Sequence, residues 1–421
     1  MTSRRGTLTT RGGAFVGSGI VLVAGGVLLG LVDLTRAGTL LLAAAAAALF
    51  VVPPRRLSFG VSRRVKPDRV SVGEAATVTV LIRPQGRWRA PAGLAEEHLP
   101  AALGARPRVL IGPLARSGGS RFQYTVRPQA RGIHRVGPLH VEAVDSFGLT
   151  SRSVATSGED ALVVLPRVHP LQASRHLLGG AGSEGPIPRG PATRGEDDQT
   201  VRVYREGDDL RRIHWPATAR TGELMVRQED RPTRRQALIL LDSRASAYPG
   251  PQGEAAFEWA VSMAASVAAH LARQAYSVRM VTADSATPAG ARVDEDLDAT
   301  LLRLAGIDLT PGSSVRPVLH LAQEASAGCG LVVAIVAGFD DDTTRVLASL
   351  RPHGAHGLAF VLHPGGPTDP GGAAGGSAHR RASATLAGLR ASGWGGTAVG
   401  DGASPAQVWA AATATATGAL R

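Results

Sequence analysis

The sequence has little lysine, cysteine or aromatic side chain. Lys66 is the only lysine, Cys329 is the only cysteine, and Phe, Trp and Tyr together make up 4% of the 421 residues. A single cysteine excludes an intramolecular disulfide and a cysteine-based metal cluster. The formal net charge is +12, but no basic groove is interleaved with aromatic residues and no known nucleic-acid module is evident. We therefore expect no nucleic-acid binding.

Charge is also missing from two runs near the amino terminus. Residues 14–32 and 37–52 contain no charged side chain, and the break between them holds Asp33 and Arg36. As helices they span about 28 Å and about 24 Å, against a hydrocarbon core of about 30 Å. We predict a membrane hairpin over residues 1–56, with helices at about 14–32 and 37–52. A cleaved signal peptide is the alternative, but the apolar core of a signal peptide is shorter than the run at 14–32, and a signal peptide is not followed by a second apolar run.

Basic residues flank both ends of this hairpin: Arg4, Arg5 and Arg11 before it, and Arg55, Arg56, Arg63, Arg64 and Lys66 after it. The positive-inside rule places such flanks in the cytoplasm. The pattern thus predicts a multi-pass cell-membrane protein with two helices and both termini cytoplasmic.

Residues 57–165 read as a β-sandwich-like module. Strand-like runs at 75–82, 121–126, 136–144 and 161–165 are separated by Gly and Pro. His134 and His140 would share one face if residues 133–141 formed one strand. No third ligand is evident nearby, so exposed strand histidines are favoured over a metal site. Residues 166–200 are rich in Gly and Pro, which predicts a linker.

Residues 236–421 alternate between strand and helix patterns. Apolar runs at 236–241, 277–282, 331–337 and 357–362 are separated by helical segments, which predicts a doubly wound α/β domain with a mostly parallel sheet. Residues 364–377 read as an inserted flexible loop. Ligands of such sheets lie beyond the carboxyl ends of the strands, which is where Asp242 falls.

The sequence Asp242-Ser243-Arg244-Ala245-Ser246 resembles the Asp-x-Ser-x-Ser start of von Willebrand factor type A domains. In that family Asp and Ser oxygens help to hold a divalent cation. Asp242 and Ser246 match the first and last positions, but Arg244 stands where the first Ser is expected. The resemblance implies a type A-like fold with a degenerate Mg²⁺ site, in which a guanidinium replaces the ion. We therefore expect no bound cofactor.

The densest charge lies in a block at residues 201–235. Between Arg194 and Arg235 there are ten Arg and nine Asp or Glu. The pattern predicts a short helix over 209–214, capped by Asp208 and ended by Pro216, with Ile213 and Trp215 on a core. We interpret the block as an ion-paired clasp between linker and α/β domain or as a partner-binding surface, formed by Tyr204, Arg205, Gly207, Asp208, Asp209, Arg211, Arg212, His214, Trp215 and Arg220.

A catalytic interpretation uses two carboxylates and a histidine of this block as metal ligands or acid–base groups. The residues would be Asp208, Asp209 and His214, or Asp242 in the next domain. The neighbouring arginines would compete for the carboxylates and repel a cation. The sequence therefore favours a non-enzymatic protein, with a metal-dependent enzyme as the alternative.

The same block resembles the signature of the bacterial "domain of unknown function 58" family. The matching residues are Tyr204-Arg205-x-Gly207-Asp208-Asp209-x-Arg211-Arg212-Ile213-His214-Trp215 and Ala219-Arg220-Thr221-Gly222-Glu223-Leu224. Two upstream motifs also resemble that family: Arg131-Gly132-x-His134-x-x-Gly137-Pro138 and Asp145-x-Phe147-Gly148-Leu149. The stretch Pro216-Ala217-Thr218 departs from the usual Lys- and Ser-like pattern.

The resemblance implies a membrane-anchored protein encoded near a MoxR-type AAA ATPase, with no established reaction. The function implied is an adaptor or scaffold that works with this ATPase in a chaperone-like or envelope-related assembly.

Overall fold

The structure is a computed structural model. It describes residues 7–51, 58–85, 92–115, 118–145, 147–156, 158–172, 200–204, 213–228, 235–286, 296–312, 314–363 and 373–418. The chain divides into two compact units, Met1–Val168 with Leu301–Ile307, and His169–Thr300 with Asp308–Arg421.

Two antiparallel helices open the first unit, α1 (Thr10–Leu29) and α2 (Val32–Val51). Gly30 ends α1 in the left-handed conformation, with φ 66°, and its N–H donates to the carbonyl of Gly26. The N–H of Leu31 donates to the same carbonyl at 2.8 Å. Glycine adopts this conformation without a steric cost, which is why the helix stops there.

The turn therefore lies earlier than the predicted break at 33–36. Asp33 instead occupies the first turn of α2, where a carboxylate favours the positive helix end. It pairs with Arg36 at 3.2 Å on the exposed surface. Asp33 and Arg36, which interrupt the apolar runs of the sequence, therefore lie within α2. Both helices begin before the predicted positions.

Glycines bring the two helices close together. A Cβ on Gly38 would lie 2.7 Å from the backbone N of Val23 and 2.8 Å from the carbonyl oxygen of Gly19. Small residues at such an interface permit close backbone packing. The other faces are apolar and exposed, as shown by Ile20, Val21, Val27, Leu28, Leu29, Val32 and Leu40.

Two helices of the described chain are long and apolar enough to cross a membrane, Thr10–Leu29 and Gly253–Arg273. The second is largely buried within its own domain, as the core helix of a soluble domain would be. Length and composition thus support α1 as a membrane span only weakly, and the spanning of α2 and the topology stay predictions.

The β module forms three sheets. Its strands are β1 (Thr7–Leu8), β2 (Phe59–Lys66), β3 (Arg69–Ser71), β4 (Ala76–Pro84), β5 (Gly93–Glu97), β6 (Arg108–Ile111), β7 (Ser120–Val126), β8 (Gly132–Val136), β9 (Leu139–Val144), β10 (Thr150–Ala155) and β11 (Asp160–Leu165). The strand orders are β1-β10-β9-β5-β6, β2-β4-β7 and β3-β11-β8. Every pairing is antiparallel except β3 with β11. Alternate residues of the strands, such as Val78, Val80 and Ile82, fill one shared core.

The predicted run at 136–144 is divided by Gly137-Pro138 into β8 and β9, which belong to different sheets. Because proline cannot donate to a strand ladder, the chain turns there. His134 and His140 consequently do not share a face of one strand. His134 Nε2 lies 2.9 Å from the carbonyl oxygen of Ala130 on the surface.

The second unit holds a five-stranded parallel sheet, β14 (Gln236–Leu241), β15 (Ser277–Thr282), β16 (Leu331–Ala337), β17 (His356–Leu362) and β18 (Gly395–Val399). The order is β15-β14-β16-β17-β18, and all neighbours are parallel. A two-stranded antiparallel ribbon, β12 (Thr200–Val203) and β13 (Met225–Gln228), precedes it. The helices that follow the ribbon's first strand are α3 (Trp215–Thr221), α4 (Gly253–Arg273), α5 (Leu297–Gly306), α6 (Arg316–Ser326), α7 (Asp341–Ser349), α8 (Ala373–Ala391) and α9 (Pro405–Gly418). Helix α5 is divided between the two units, since Leu301–Ile307 belongs to the first.

This sheet has the doubly wound arrangement that the alternating pattern predicts. Every residue of β16 is buried, as expected for a parallel strand with helices on both faces. The sequence pattern missed β18, α8 and α9. Helix α8 begins at Ala373 and includes the end of the predicted loop, while residues 364–372 lie outside the described chain.

The start of the predicted linker is held on this α/β domain. The N–H of His169 donates to Ser266 Oγ at 2.8 Å, and Trp409 Nε1 donates to the carbonyl of Gln172 at 2.9 Å. The chain is therefore fixed as far as residue 172. Residues 173–199 lie outside the described chain.

Candidate functional site

The candidate site lies where the order of the parallel strands reverses. From the central strand β14 the chain first moves to β15 on one side and later to β16 on the other. At such a switch point the loops after the two central strands diverge and leave a crevice beyond the carboxyl ends of the strands. The loops here begin at Asp242 and Gly338.

Asp242 and Arg244 form a bidentate ion pair at this point. Arg244 Nε donates to Asp242 Oδ1 at 2.8 Å, and Nη2 donates to Oδ2 at 2.7 Å. The backbone N–H of Arg244 also donates to Oδ1 at 3.2 Å. The guanidinium lies 5.4 Å from the ring centre of Phe339, and both charged side chains are almost fully buried. Both carboxylate oxygens of Asp242, the first position of the type A-like pattern, thus accept hydrogen bonds from Arg244.

The surrounding loop holds this pair rigidly. Tyr248 Oη donates to the carbonyl of Asp242 at 2.7 Å. Burial raises the pKa of Tyr248, and the Asp242 charge raises it further. The N–H of Ala283 donates to Ser243 Oγ at 3.0 Å, and the N–H of Thr310 donates to the carbonyl of Ser243 at 2.7 Å.

Ser246, the other predicted ion-site residue, turns away from Asp242. Its Oγ donates to the carbonyl of Gly312 at 3.1 Å on the exposed side of the loop. The oxygens of the two matching positions, Asp242 and Ser246, therefore bond to Arg244 and Gly312, respectively. Groups of three or more Asp, Glu, His or Cys side chains able to hold a metal ion do not occur within the described ranges.

A cleft of about 280 Å³ opens beside the ion pair, lined by Arg244, Phe339, Asp340 and Arg381 among others. Asp340 Oδ1 accepts from the N–H of Thr343 at 2.7 Å and caps α7. The hydrogen bonds from Thr343 lower the pKa of Asp340. Asp340, the first of three consecutive Asp residues after β16, thus acts as a helix cap.

A second cleft of about 370 Å³ lies at the ends of β17 and β18, lined by His363, Trp259 and Asp401 among others. Burial lowers the pKa of His363, the neighbouring His379 lowers it further, and Asp401 opposes both. The two imidazole rings meet edge to face with centres 4.9 Å apart. The sequence pattern does not predict this cleft, because it does not predict β18 or α8.

The described residues of the charged signature block include the β12–β13 ribbon and α3. The N–H of Tyr204 donates to the carbonyl of Leu224, and the N–H of His214 donates to the carbonyl of Met225, both at 2.7 Å. His214 Nδ1 accepts from the N–H of Ala217 at 3.1 Å and caps α3. His214 therefore has a capping role that the sequence did not reveal.

The predicted helix over 209–214 is wrong at its carboxyl end. Ile213 forms a β-bridge with Val226, and the helix begins at Trp215. Pro216 lies in the first helical turn, where no backbone N–H is required. Trp215 does not pin a core, since it is 65% exposed.

The remaining signature residues Arg205, Gly207, Asp208, Asp209, Arg211 and Arg212 lie outside the described residues. The ion-paired clasp that they would form stays a prediction. Of the described signature residues, Arg220 is exposed in the last turn of α3.

Fold and site define a multi-domain chain with an apolar amino-terminal helix, mixed sheets and a doubly wound parallel domain. The family model described as "Protein of unknown function DUF58" matches residues 200–348, which include the signature and most of the switch-point residues. The uncharacterized protein YeaD of Bacillus subtilis is 25% identical over 317 residues, covering 66% of this chain and 76% of YeaD. These matches support the resemblance to this family of unknown function.

Solved structures resemble the chain only in part. The CARDB domain of a Pyrococcus furiosus protein is 16% identical, covers 25% of this chain and 97% of its own, and has a TM-score of 0.18. The sporulation control protein Spo0M of Bacillus subtilis is also 16% identical, covering 25% of this chain and 49% of its own with a TM-score of 0.14. Likenesses this weak carry no weight for function.

Proposed function

We propose that this protein is a membrane-anchored, non-catalytic adaptor. Its α/β domain resembles type A domains at the positions of Asp242 and Ser246. The helical hairpin holds this domain at a membrane. There the domain binds a MoxR-type AAA ATPase in a chaperone-like or envelope-related assembly. No cofactor is needed for this role. The chain is oriented with both termini in the cytoplasm.

The observation that carries the proposal is the exposure of the signature helix α3. None of the residues of α3 is buried, and Trp215 is 65% exposed. An exposed tryptophan loses a large apolar area from water on binding, and tryptophan is enriched among residues that dominate protein–protein affinity. This supports the partner-binding interpretation of the block over the purely structural one.

The non-catalytic part of the proposal is supported by the partners of the candidate catalytic groups. Asp242 is bonded at both oxygens by Arg244. His214 Nδ1 accepts the capping hydrogen bond of α3. A metal-dependent enzyme using Asp208, Asp209, His214 or Asp242 would need its carboxylate and imidazole atoms as metal ligands or acid–base groups. In Asp242 and His214, these atoms already accept the hydrogen bonds described above.

The test is capture of the purified MoxR-type ATPase from the same genome by the full chain in detergent. Trp215→Ala should weaken capture at least about tenfold, the usual loss for a dominant interface residue. Arg380→Ala is the matched control, since Arg380 is exposed on α8 and does not line the switch-point cleft. Capture equal to wild type in Trp215→Ala would refute α3 as the surface, and no capture by the folded wild-type chain would refute the ATPase partnership.

A further inference from the structure

The base of the helical hairpin is joined to one loop of the β module. The N–H of Thr9 donates to the carbonyl of Leu149 at 2.9 Å, and Thr9 Oγ1 donates to the carbonyl of Gly148 at 2.5 Å. Thr9 also caps α1 by accepting from the N–H of Gly12. The loop is thus fixed at the position where the apolar helix begins.

The carboxyl-terminal part of α2 reaches the same loop. Thr150 Oγ1 lies 3.3 Å from the carbonyl oxygen of Ala48. Helix α1 has 20 residues, which span about 30 Å, the thickness of a hydrocarbon core. If the hairpin crosses a bilayer, this loop lies at the level of the lipid headgroups.

The loop presents an aromatic side chain that its own fold does not cover. Asp145 accepts from the N–H of Phe147 at 2.7 Å and from Thr150 Oγ1 at 2.8 Å, which sets the loop shape. Phe147 is 79% exposed at its tip. A single exposed apolar residue needs no explanation by itself. This one, however, lies beside the end of an apolar helix whose other faces are also exposed.

A half-buried arginine lies two residues beyond this loop. Arg152 is on β10 opposite Ala143 of β9, so its side chain shares the face of the buried Val154 and Val141. Its Nε and Nη1 atoms are buried and have no hydrogen-bond partner among the residues that the structure describes. Arginine does not lose its proton in proteins, and buried N–H donors without a hydrogen-bond partner are unfavourable. An anion supplied from outside the chain would relieve this.

A second arginine stands at the same place. Arg11 is exposed in the first turn of α1, and its Nη1 lies 3.7 Å from the position that a Cβ on Gly148 would occupy. Guanidinium groups bind phosphate oxygens through paired, charge-assisted hydrogen bonds. Phosphates of anionic lipids lie at the depth where aromatic and basic residues anchor proteins.

We infer that Phe147, Arg11 and Arg152 form a binding site for the phosphate headgroup of an anionic phospholipid. Phe147 enters the interfacial region, and the phosphate pairs with Arg152 from the membrane side, with Arg11 at the rim. The inference rests on the membrane anchoring in the proposed function but not on the ATPase partnership. Without an anionic lipid, Nε and Nη1 of Arg152 keep no hydrogen-bond partner among the described residues, and the base of the hairpin is less stable.

The position of Phe147 can be measured because the chain has one cysteine, and Cys329 is buried. In a Cys329→Ala background, Phe147→Cys is labelled with a polarity-sensitive dye and the full chain is placed in nanodiscs. Leu110→Cys is the matched control, since Leu110 is 84% exposed on β6, at the opposite edge of the same sheet. The label at 147 should shift to the blue and be quenched by spin-labelled lipid, while the label at 110 should not. Equal behaviour of the two labels would overturn the inference.

The anion is tested with nanodiscs of phosphatidylcholine, with and without phosphatidylglycerol, and with inorganic phosphate as the soluble source. Arg152→Gln should reduce retention of phosphatidylglycerol about tenfold, as expected for lost charge-assisted bonds, and Arg152→Lys should retain part of it. Equal retention by wild type and Arg152→Gln, or saturation of the site by inorganic phosphate alone, would contradict a lipid site.

Alkaline extraction of the nanodisc preparation separates the two possible failures. A chain that is extracted from the bilayer refutes the membrane anchoring and the lipid site together. A chain that stays in the bilayer but shows no lipid contact at Phe147 refutes the lipid site alone. Failure to capture the ATPase leaves the lipid site standing.

Discussion

Arg244→Ala should destabilise the α/β domain because it leaves the Asp242 carboxylate buried without its partner. The substitution removes the two side-chain hydrogen bonds at 2.8 and 2.7 Å, in a place where the Asp242 side chain is 2% exposed. Breaking a buried ion pair by removing one partner costs about 3–5 kcal/mol. A factor of ten corresponds to about 1.4 kcal/mol, so the open state becomes roughly 150- to 4,000-fold more populated.

Hydrogen exchange of the β14 amides measures this directly, because the central strand exchanges only through large-scale opening of the domain. Exchange in Arg244→Ala should accelerate by the same factor. Arg345→Ala is the matched control, since its ion pair with Asp342 is exposed and such pairs contribute less than about 1 kcal/mol. The reasoning would be refuted if β14 exchanged no faster in Arg244→Ala than in Arg345→Ala. Replacing both partners, as in Asp242→Ala with Arg244→Met, should cost less than Arg244→Ala alone.

Two further predictions concern packing and pH. Gly357→Ala places a Cβ 2.5 Å from the ring of the buried Trp394, so it should destabilise the domain by about 1–3 kcal/mol and lower its calorimetric Tm. Gly306→Ala, which has open space around it, should leave the Tm unchanged. Equal Tm values for the two variants would contradict the packing described. Burial opposes ionisation of Asp145, but hydrogen bonds from Thr150 and Phe147 outweigh it and lower its pKa below 3.8. The carboxylate therefore stabilises the loop above that pH, and its contribution is lost as the pH falls through the folded pKa. Exchange of the Phe147 amide should accelerate there in wild type but lose this acid dependence in Asp145→Asn, and an unchanged pH profile in Asp145→Asn would argue against this role.

The strand–helix alternation of the carboxy-terminal half was readable from the sequence because fully buried parallel strands are continuous apolar runs. Residues 236–241, 277–282 and 331–337 were located as strands with the observed bounds. Strand β18 was not, since Gly395–Val399 contains two glycines and little apolar surface. Its place is set by pairing with β17, a tertiary effect that local pattern does not encode.

Turns were the main source of error. Pro216 predicts a helix stop, yet it occupies the first turn of α3, where proline is equally acceptable. The charged residues Asp33 and Arg36 predict a break between the helices, while the actual turn uses Gly30 in the left-handed conformation. Both cases involve residues with two compatible positions, and only packing decides between them.

At the candidate site, the order Asp242, Arg244, Ser246 was sufficient to predict a guanidinium near the carboxylate. It was not sufficient to predict that Ser246 faces Gly312, which depends on a loop more than sixty residues away in the chain. The half-buried Arg152 is not singled out by the sequence pattern either. The position of its side chain follows from the β9–β10 register, which places it on the face of Val141 and Val154.

The measurement that tests the central claim most directly is a calorimetric titration of Mg²⁺ and Mn²⁺ into the full-length wild-type chain and into Arg244→Ser. If the guanidinium of Arg244 stands in place of an ion, the wild-type chain should bind neither cation more tightly than the millimolar range. Arg244→Ser, which frees the Asp242 carboxylate and adds a hydroxyl, should bind at least one of them more tightly. Saturable micromolar binding by the wild-type chain, lost in Asp242→Asn, would contradict the account.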